Sequence, residues 1–403
     1  MSLPLEGIKV LDLSRLLPGG FCTLLLADMG AEVVKVEDPK GGDYIRWMPP
    51  FINKESAYFL ALNRNKKSIK LNLRSKMGKE VFLKLSREYD VILEGFRPGV
   101  VNKLGISYEE IKRVNPKIIY CSLSGFGQDG PYRERVGHDI NYIGIGGILS
   151  ITGEKGGPPV IPGVQIADIG GGMLAAIAIL ASLVSKERGE YIDVSMLDGV
   201  ISWLVLVAGK YFADGKIPQR GEMQLSGELL GYNVYPTKDG KSISLGALEP
   251  KFWQNFCQSI KREDLIDKQF AEGEEKEKIL KELKTLFQSK TQDEWGEFFK
   301  DKEVCSEPVN DLPSVFSHPQ VKQRQMLFEI DHPTEGPIKQ IGLPIKFSSA
   351  IKHGQDQKAG QSPGVKEVRK NPPPGFGEHT EEILKSIGYS QEEIEKLERE
   401  GVV

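Results

Sequence analysis

An apolar run of strand length at residues 8–13, a helix-length apolar stretch at 21–29 and a second strand-like run at 31–37 (AEVVKVE) open the chain as β-α-β. That alternation restricts the architecture more than any other feature. It continues with a predicted helix at 77–89, a strand at 90–94, a helix at 108–114 opened by the capping box Ser107-x-x-Glu110, and a strand at 117–122. A crossover long enough to hold a helix returns the chain in the same direction, so such strands pair in parallel and both sheet faces are covered. The first half is therefore expected to be α/β, with a Rossmann-like parallel sheet.

Farther along, an apolar helix is expected at 169–185, a strand at 190–194 and another apolar helix near 200–213. Two β-like runs at 232–236 and 242–248, joined by Lys238-Asp239-Gly240, predict a hairpin. Residues 251–302 are helical and charged, with a second capping box at Thr291-x-x-Glu294, and the last helix begins with Ser390-x-x-Glu393. A chain of 403 residues has room for two or three domains. The predicted organisation is a large domain over 1–200, a linker helix over 201–224, a smaller α+β domain over 225–312, and a return segment completing the large domain over 313–403.

Lys and Arg number 53 against 56 Asp and Glu, a net charge of −3. This balance argues against a nucleic-acid binder, although a local basic groove for one polyanionic ligand stays possible. The cysteines Cys22, Cys121, Cys257 and Cys305 are widely spaced with no Cys-x-x-Cys pair, which predicts no metal site and fits a reducing cytoplasm. The N-terminus shows no basic region followed by an apolar stretch and a cleavage site. The uncharged run at 169–185 falls short of the roughly 20 apolar residues of a membrane span, so a buried helix and no membrane contact are expected.

The β-α-β opening lacks the Gly-x-Gly-x-x-Gly fingerprint, reading Ser-Arg-Leu-Leu-Pro-Gly-Gly after its first strand. The phosphate loop, the Gly-x-Ser-x-Gly elbow and the zinc helix are likewise missing. Three constellations remain. His138 lies in GHDINY, where polar groups converge without an amphipathic period; a histidine that only holds its loop is the plainer alternative. Asp168 precedes three glycines in ADIGGG. As a helix N-cap it would need no further role, but three glycines in a first turn are costly and would let a ligand approach the N–H groups at the helix start. Glu249 in GALEPKFW stands where a strand meets a helix, and an acidic residue there also complements the helix dipole. Basic residues cluster at Arg46, Arg64, Lys66, Lys67, Lys70, Arg97 and Lys103, either as a solvated face or as a phosphate-binding patch.

Together these strings, with LEGIKVLDLS, LADMGAEVVKVE, EGFRPGV, YCSLSGFGQDGP and GEHTEEIL, resemble the class III coenzyme A transferase superfamily, most of all its alpha-methylacyl-CoA racemases. The resemblance spans nearly the whole chain. It implies His138, Asp168 and Glu249 as the catalytic set, acting on the α-carbon of 2-methyl-branched acyl-CoA thioesters by proton transfer through an enolate. The alternative it leaves open is a CoA transferase in which Asp168 carries the acyl group and then CoA. It also implies an interlocked homodimer in which Glu249 reaches the partner's His138, and no cofactor beyond the CoA of the substrate. CoA would lie against Lys70, Leu71, Asn72, Leu73, Arg97, Lys103 and the loop with Gly137, Asp139 and Tyr142. The family often carries an arginine where this chain has Asp38, and Arg46 is expected to replace it. SGELLGYNVY also departs from the racemase pattern and leaves the acyl chain open.

Overall fold

Six parallel strands form one sheet in the order β3-β2-β1-β4-β5-β6, where β1 is Lys9–Leu13, β2 Glu32–Glu37, β3 Lys66–Lys70, β4 Val91–Glu94, β5 Ile119–Ser124 and β6 Glu190–Ser195. β4 and β5 are buried along their whole length, as expected of parallel strands with both faces covered. The direction of winding reverses between β1 and β4, where Leu13 lies opposite Glu94. This computed structural model describes residues 3–347 and 371–403, with the strands Ile351–Lys352 and Gly364–Val365 between them as backbone. The chain divides into two units: residues 147–163 and 204–319 make the second, and the other described residues the first.

The expected α/β architecture is present, and its departures from expectation have local causes. The basic run KKSIK is β3, a strand whose charges alternate in and out. Lys66 is buried, and its Nζ donates to Thr23 Oγ1 (2.7 Å) and Asn63 Oδ1 (3.0 Å); Lys67 points outward to Glu382 at 2.8 Å. Arg64 is also buried, its Nη2 2.5 Å from Asp28. Arg46, Arg64 and Lys66 of the basic cluster are thus interior structure rather than part of a patch. Ser107 caps the helix Tyr108–Val114 without a side-chain bond, and the Glu110 carboxylate lies 3.5 Å from Lys79. The capping boxes at Thr291 and Ser390 both form.

Helix α1 (Leu16–Asp28) follows β1. Helix α2 (Asp139–Ile145) follows β5, and helix α3 (Ile166–Val184) leads into β6. α3 begins before residue 169, so Asp168 sits in its first turn and not at its N-cap. The three glycines have a packing explanation. A Cβ on Gly170 would lie 2.1 Å from the Trp203 ring, one on Gly171 2.6 Å from Met196, and one on Gly172 2.4 Å from the Pro18 carbonyl of α1. Close helix contact, rather than an approaching ligand, fills the space beside these glycines. By length and composition α3 could cross a membrane, and half of it is buried here. The apolar stretch near 200–213 is two helices, α4 (Met196–Ser202) and α5 (Val205–Asp214).

The second unit contains α5 and an antiparallel sheet of β7 (Tyr232–Pro236), β8 (Ser242–Gly246) and β9 (Ser306–Pro308). The predicted hairpin is β7–β8. An aromatic core of Trp253, Phe256, Phe287, Trp295 and Phe299 closes one face, with Tyr235 stacked on Phe287 at 4.6 Å.

In an open helix, replacing glycine by alanine stabilises by about 1 kcal/mol. At Gly172 the sign reverses, because the Pro18 carbonyl occupies the site of the new methyl. Gly172→Ala is expected to lower unfolding free energy by about 1–3 kcal/mol, measured by urea titration; equal or greater stability would refute the packing account.

Candidate active site

A cavity of about 570 Å³ opens at the carboxyl ends of β1, β4 and β5, lined by residues 14–16, 18–19, 95–98, 123–126, 133, 135–138, 141–142, 168 and 196. In a doubly wound sheet the chain leaves neighbouring strands in opposite directions where the winding reverses, and a crevice opens there. The cavity occupies that place.

His138 is the exposed N-cap of α2, its backbone N–H donating to Asn141 Oδ1 at 3.0 Å. The next residue, Asp139, is buried, and its Oδ1 accepts from the N–H groups of Ala167 (2.6 Å) and Asp168 (3.2 Å). One carboxylate thereby ties the loop that carries His138 to the helix that carries Asp168. Burial, with the charge of Asp139 adding to it, pushes the Asp168 carboxyl up to about 6. Tyr142 closes the loop from behind, its hydroxyl donating to the Gly137 carbonyl at 2.7 Å and its ring edge-on to Phe126 at 5.1 Å. Gly137 fits because a Cβ there would lie 2.8 Å from that ring.

His138 and Asp168 are therefore brought together, and Arg97, Gly137 and Tyr142 line the same cavity. Glu249 belongs to the second unit, exposed at the start of α6 (Pro250–Ser259), where its carbonyl accepts from Phe252 (3.0 Å) and Trp253 (3.1 Å).

Several expected binding residues have other partners. Arg46 is buried, with Nε and Nη2 on Glu37 (2.9 Å each) and Nη1 on Glu55 (2.9 Å), so it cannot replace the missing phosphate contact. Lys70, Leu71, Asn72 and Leu73 dock the C-terminal tail: the Lys70 N–H donates to Thr380 Oγ1 (3.1 Å), the Asn72 N–H donates to the Val402 carbonyl (2.7 Å), and Leu71 and Leu73 enter the core. Lys103 lies on the short helix Val100–Leu104, outside the cavity lining. The N–H groups at the start of α3 do not await an oxyanion either, since Asp139 takes two and the Ile169 N–H bonds the Gln165 carbonyl at 3.0 Å.

Sequence reasoning missed Arg15, Arg133 and Arg135, all lining the cavity. Arg15 stands just past β1, and its Nη1 donates to Tyr44 Oη (2.8 Å) while the guanidinium lies over the Tyr44 ring at 4.7 Å. Arg135 lies over Tyr132 at 3.9 Å. The signal was position rather than motif: one arginine follows a strand at the reversal and two precede GHDINY. With Arg97, four arginines line the cavity, where among the described residues Asp168 is the one carboxylate. Such a cavity suits a phosphorylated, anionic ligand.

Asp139→Asn keeps an oxygen for the two N–H groups and removes a negative charge. The Asp168 midpoint is expected to fall from about 6 towards ordinary carboxylate values, read by carbon-13 NMR of labelled aspartate; an unmoved midpoint would reject the coupling.

Comparison with known proteins shows what this geometry is similar to. The model for CoA-transferase family III matches residues 5–361. Succinyl-CoA:glutarate CoA-transferase of Mus musculus is 36% identical over 99% of this chain and 90% of its own length. Alpha-methylacyl-CoA racemase of Homo sapiens is 32% identical over 99% of this chain and 97% of its own. A CAIB/BAIF family protein from Brucella suis superposes with a TM-score of 0.79 at 32% identity, covering 96% of this chain and all of that one.

Proposed function

The chain belongs to CoA-transferase family III, and from that premise we propose that it is an acyl-CoA α-epimerase that inverts the α-carbon of 2-methyl-branched acyl thioesters. The observation that carries this reading is His138 and Asp168 lining one cavity at the sheet reversal. An α-hydrogen beside a thioester carbonyl is weakly acidic, so its removal needs a positioned base. Inversion needs a second group on the opposite face of the planar enolate to return a proton. A carboxyl raised to about 6 can take a proton and give one up near neutrality, and an imidazole is the commonest side chain to act as the base in such a step. His138 serves one face and Asp168 the other, with Glu249 supporting the imidazole. The arginines hold the phosphates of the CoA portion, and no further cofactor enters the scheme.

A homodimer is part of this proposal. One side of α3 is spent on glycine-mediated packing, while Met173, Ile177 (60% exposed) and Val184 (85% exposed) stand uncovered in a single chain. A second copy would cover them and would supply Glu249 to the partner's His138. Sedimentation is expected to report twice the chain mass, and a monomer at micromolar concentration would reject this arrangement.

A second reading is favoured by the names of relatives: a CoA transferase in which Asp168 attacks the acyl-CoA, becomes an acyl anhydride and then an aspartyl-CoA thioester, and passes CoA to an acceptor acid. Incubating a chiral 2-methylacyl-CoA in deuterated water separates the two. Epimerisation is expected to add α-deuterium and erase optical purity with no acceptor acid, and His138→Ala to slow exchange by about 10²-fold or more. CoA movement that depends on an acceptor acid, without α-exchange, would establish the transferase instead.

A further inference from the structure

Behind the cavity wall lies a carboxyl group that the epimerase scheme does not use. Glu94 ends β4 at the sheet reversal and is only 2% exposed. Its Oε2 accepts the Phe96 N–H at 2.7 Å, and its Oε1 accepts the Ser122 hydroxyl. Ser122 Oγ in turn accepts from Tyr191 Oη at 3.1 Å. The register sets Glu94, Ser122 and Asp193 side by side on β4, β5 and β6. Asp193 performs a matching task for the loop that follows β5, its Oδ2 accepting the Gln128 N–H at 2.9 Å. Residues 95–98 and 123–126 line the cavity, so each carboxylate holds a turn next to a stretch of its wall.

We propose that Glu94 is a positioning residue: by accepting the Phe96 N–H, its carboxylate fixes the turn at residues 95–97, including Arg97, and makes affinity for the CoA portion depend on its own ionisation. The proposal rests on the reading of this cavity as a CoA-thioester site. Around Glu94 stand Asp193 and Tyr191 on β6, Tyr120 and Cys121 on β5, and Leu13 opposite it on β1. Farther out on the helix Tyr108–Val114, Tyr108 packs on Tyr120 and Tyr191 with Lys112 over its ring. The groups that favour the ionised form are the hydrogen-bond donors Ser122 and Phe96, whereas burial, and after it the charge of Asp193, push Glu94 up to about 7. Protonation adds a hydrogen that must find an acceptor. Ser122 could accept it only by turning its own hydroxyl away from Glu94, and the bond to Phe96 weakens as the carboxylate charge is lost.

If the ionised form is the binding-competent one, only about a tenth of the protein is competent one unit below the midpoint, and apparent Kd rises about tenfold there. The test is calorimetric titration with CoA at pH 6 and pH 8. The 3′-phosphate of CoA can titrate in this interval, so the quantity compared is the ratio of Kd values between proteins. Wild type is expected to show a pH 6 to pH 8 ratio about tenfold larger than Glu94→Gln, which keeps an acceptor for Phe96 without a titrating charge. Asp193→Asn is expected to keep the dependence and move its midpoint to lower pH, which also serves should the glutamine variant fail to fold. Equal ratios in wild type and Glu94→Gln, or an unmoved midpoint in Asp193→Asn, overturn the role of Glu94 while leaving the CoA site standing. Absence of CoA binding by wild type overturns both.

Discussion

The winding reversal between β1 and β4 has to be held open, and buried ion pairs hold it. After β1 the chain turns sharply enough to place Leu16 at φ 62°, a left-handed conformation that a leucine adopts only under constraint. Lys35 supplies part of that constraint, its Nζ 2.8 Å from Asp43 and donating to the Ser14 carbonyl at 2.8 Å. Asp43 completes it by accepting the N–H groups of Leu16 (3.0 Å) and Ile45 (3.1 Å). Buried charges are tolerated when they are paired. Here Lys35 and Lys66 face Asp12 and Asp43, and although burial alone would raise the Asp12 carboxyl, the two lysines hold it below its usual value. Lys66 is pushed by burial down to about 8, against the pull of Asp12. The floor of the cavity is thus set by interior electrostatics rather than by loop sequence.

This explains which parts of the fold were legible. Strands such as KVLDL and IYCSLS declare themselves by apolar content, and the parallel α/β class followed from their alternation with helices. β3 did not, because KKSIK reads as surface charge unless its lysines are known to alternate between interior acid partners and solvent. Capping boxes at Thr291 and Ser390 were readable because the reciprocal bonds are local. The one at Ser107 does not form, and the Glu110 carboxylate sits by Lys79, a distant residue that no local pattern reveals.

At the site, residues with a chemical motif were legible and residues placed by topology were not. GHDINY and ADIGGG led to His138 and Asp168, yet the glycines beside Asp168 belong to helix packing against Pro18, Met196 and Trp203. Arg46 was expected to be a phosphate ligand because the family's arginine is missing at Asp38. Its interior carboxylate partner, Glu37, comes from the end of β2, nine residues earlier, and only the folded sheet shows that the pair is sealed from solvent. Arg15, Arg133 and Arg135 carry no motif and emerge only once the strand ends converge.

The distribution of charge separates cations paired in the interior from those that line the cavity. Arg46, Arg64, Lys35 and Lys66 each have a carboxylate partner in the interior, so their charge is neutralised locally and contributes little field outside. Arg97, Arg133 and Arg135 are exposed on a wall where, among the described residues, Asp168 is the one carboxylate, itself inclined towards the neutral form by burial. A chain with net charge −3 therefore presents a cavity of positive potential. Field lines focused into a low-dielectric cleft draw an anion in faster than diffusion to a neutral surface would, and that attraction weakens as salt screens it.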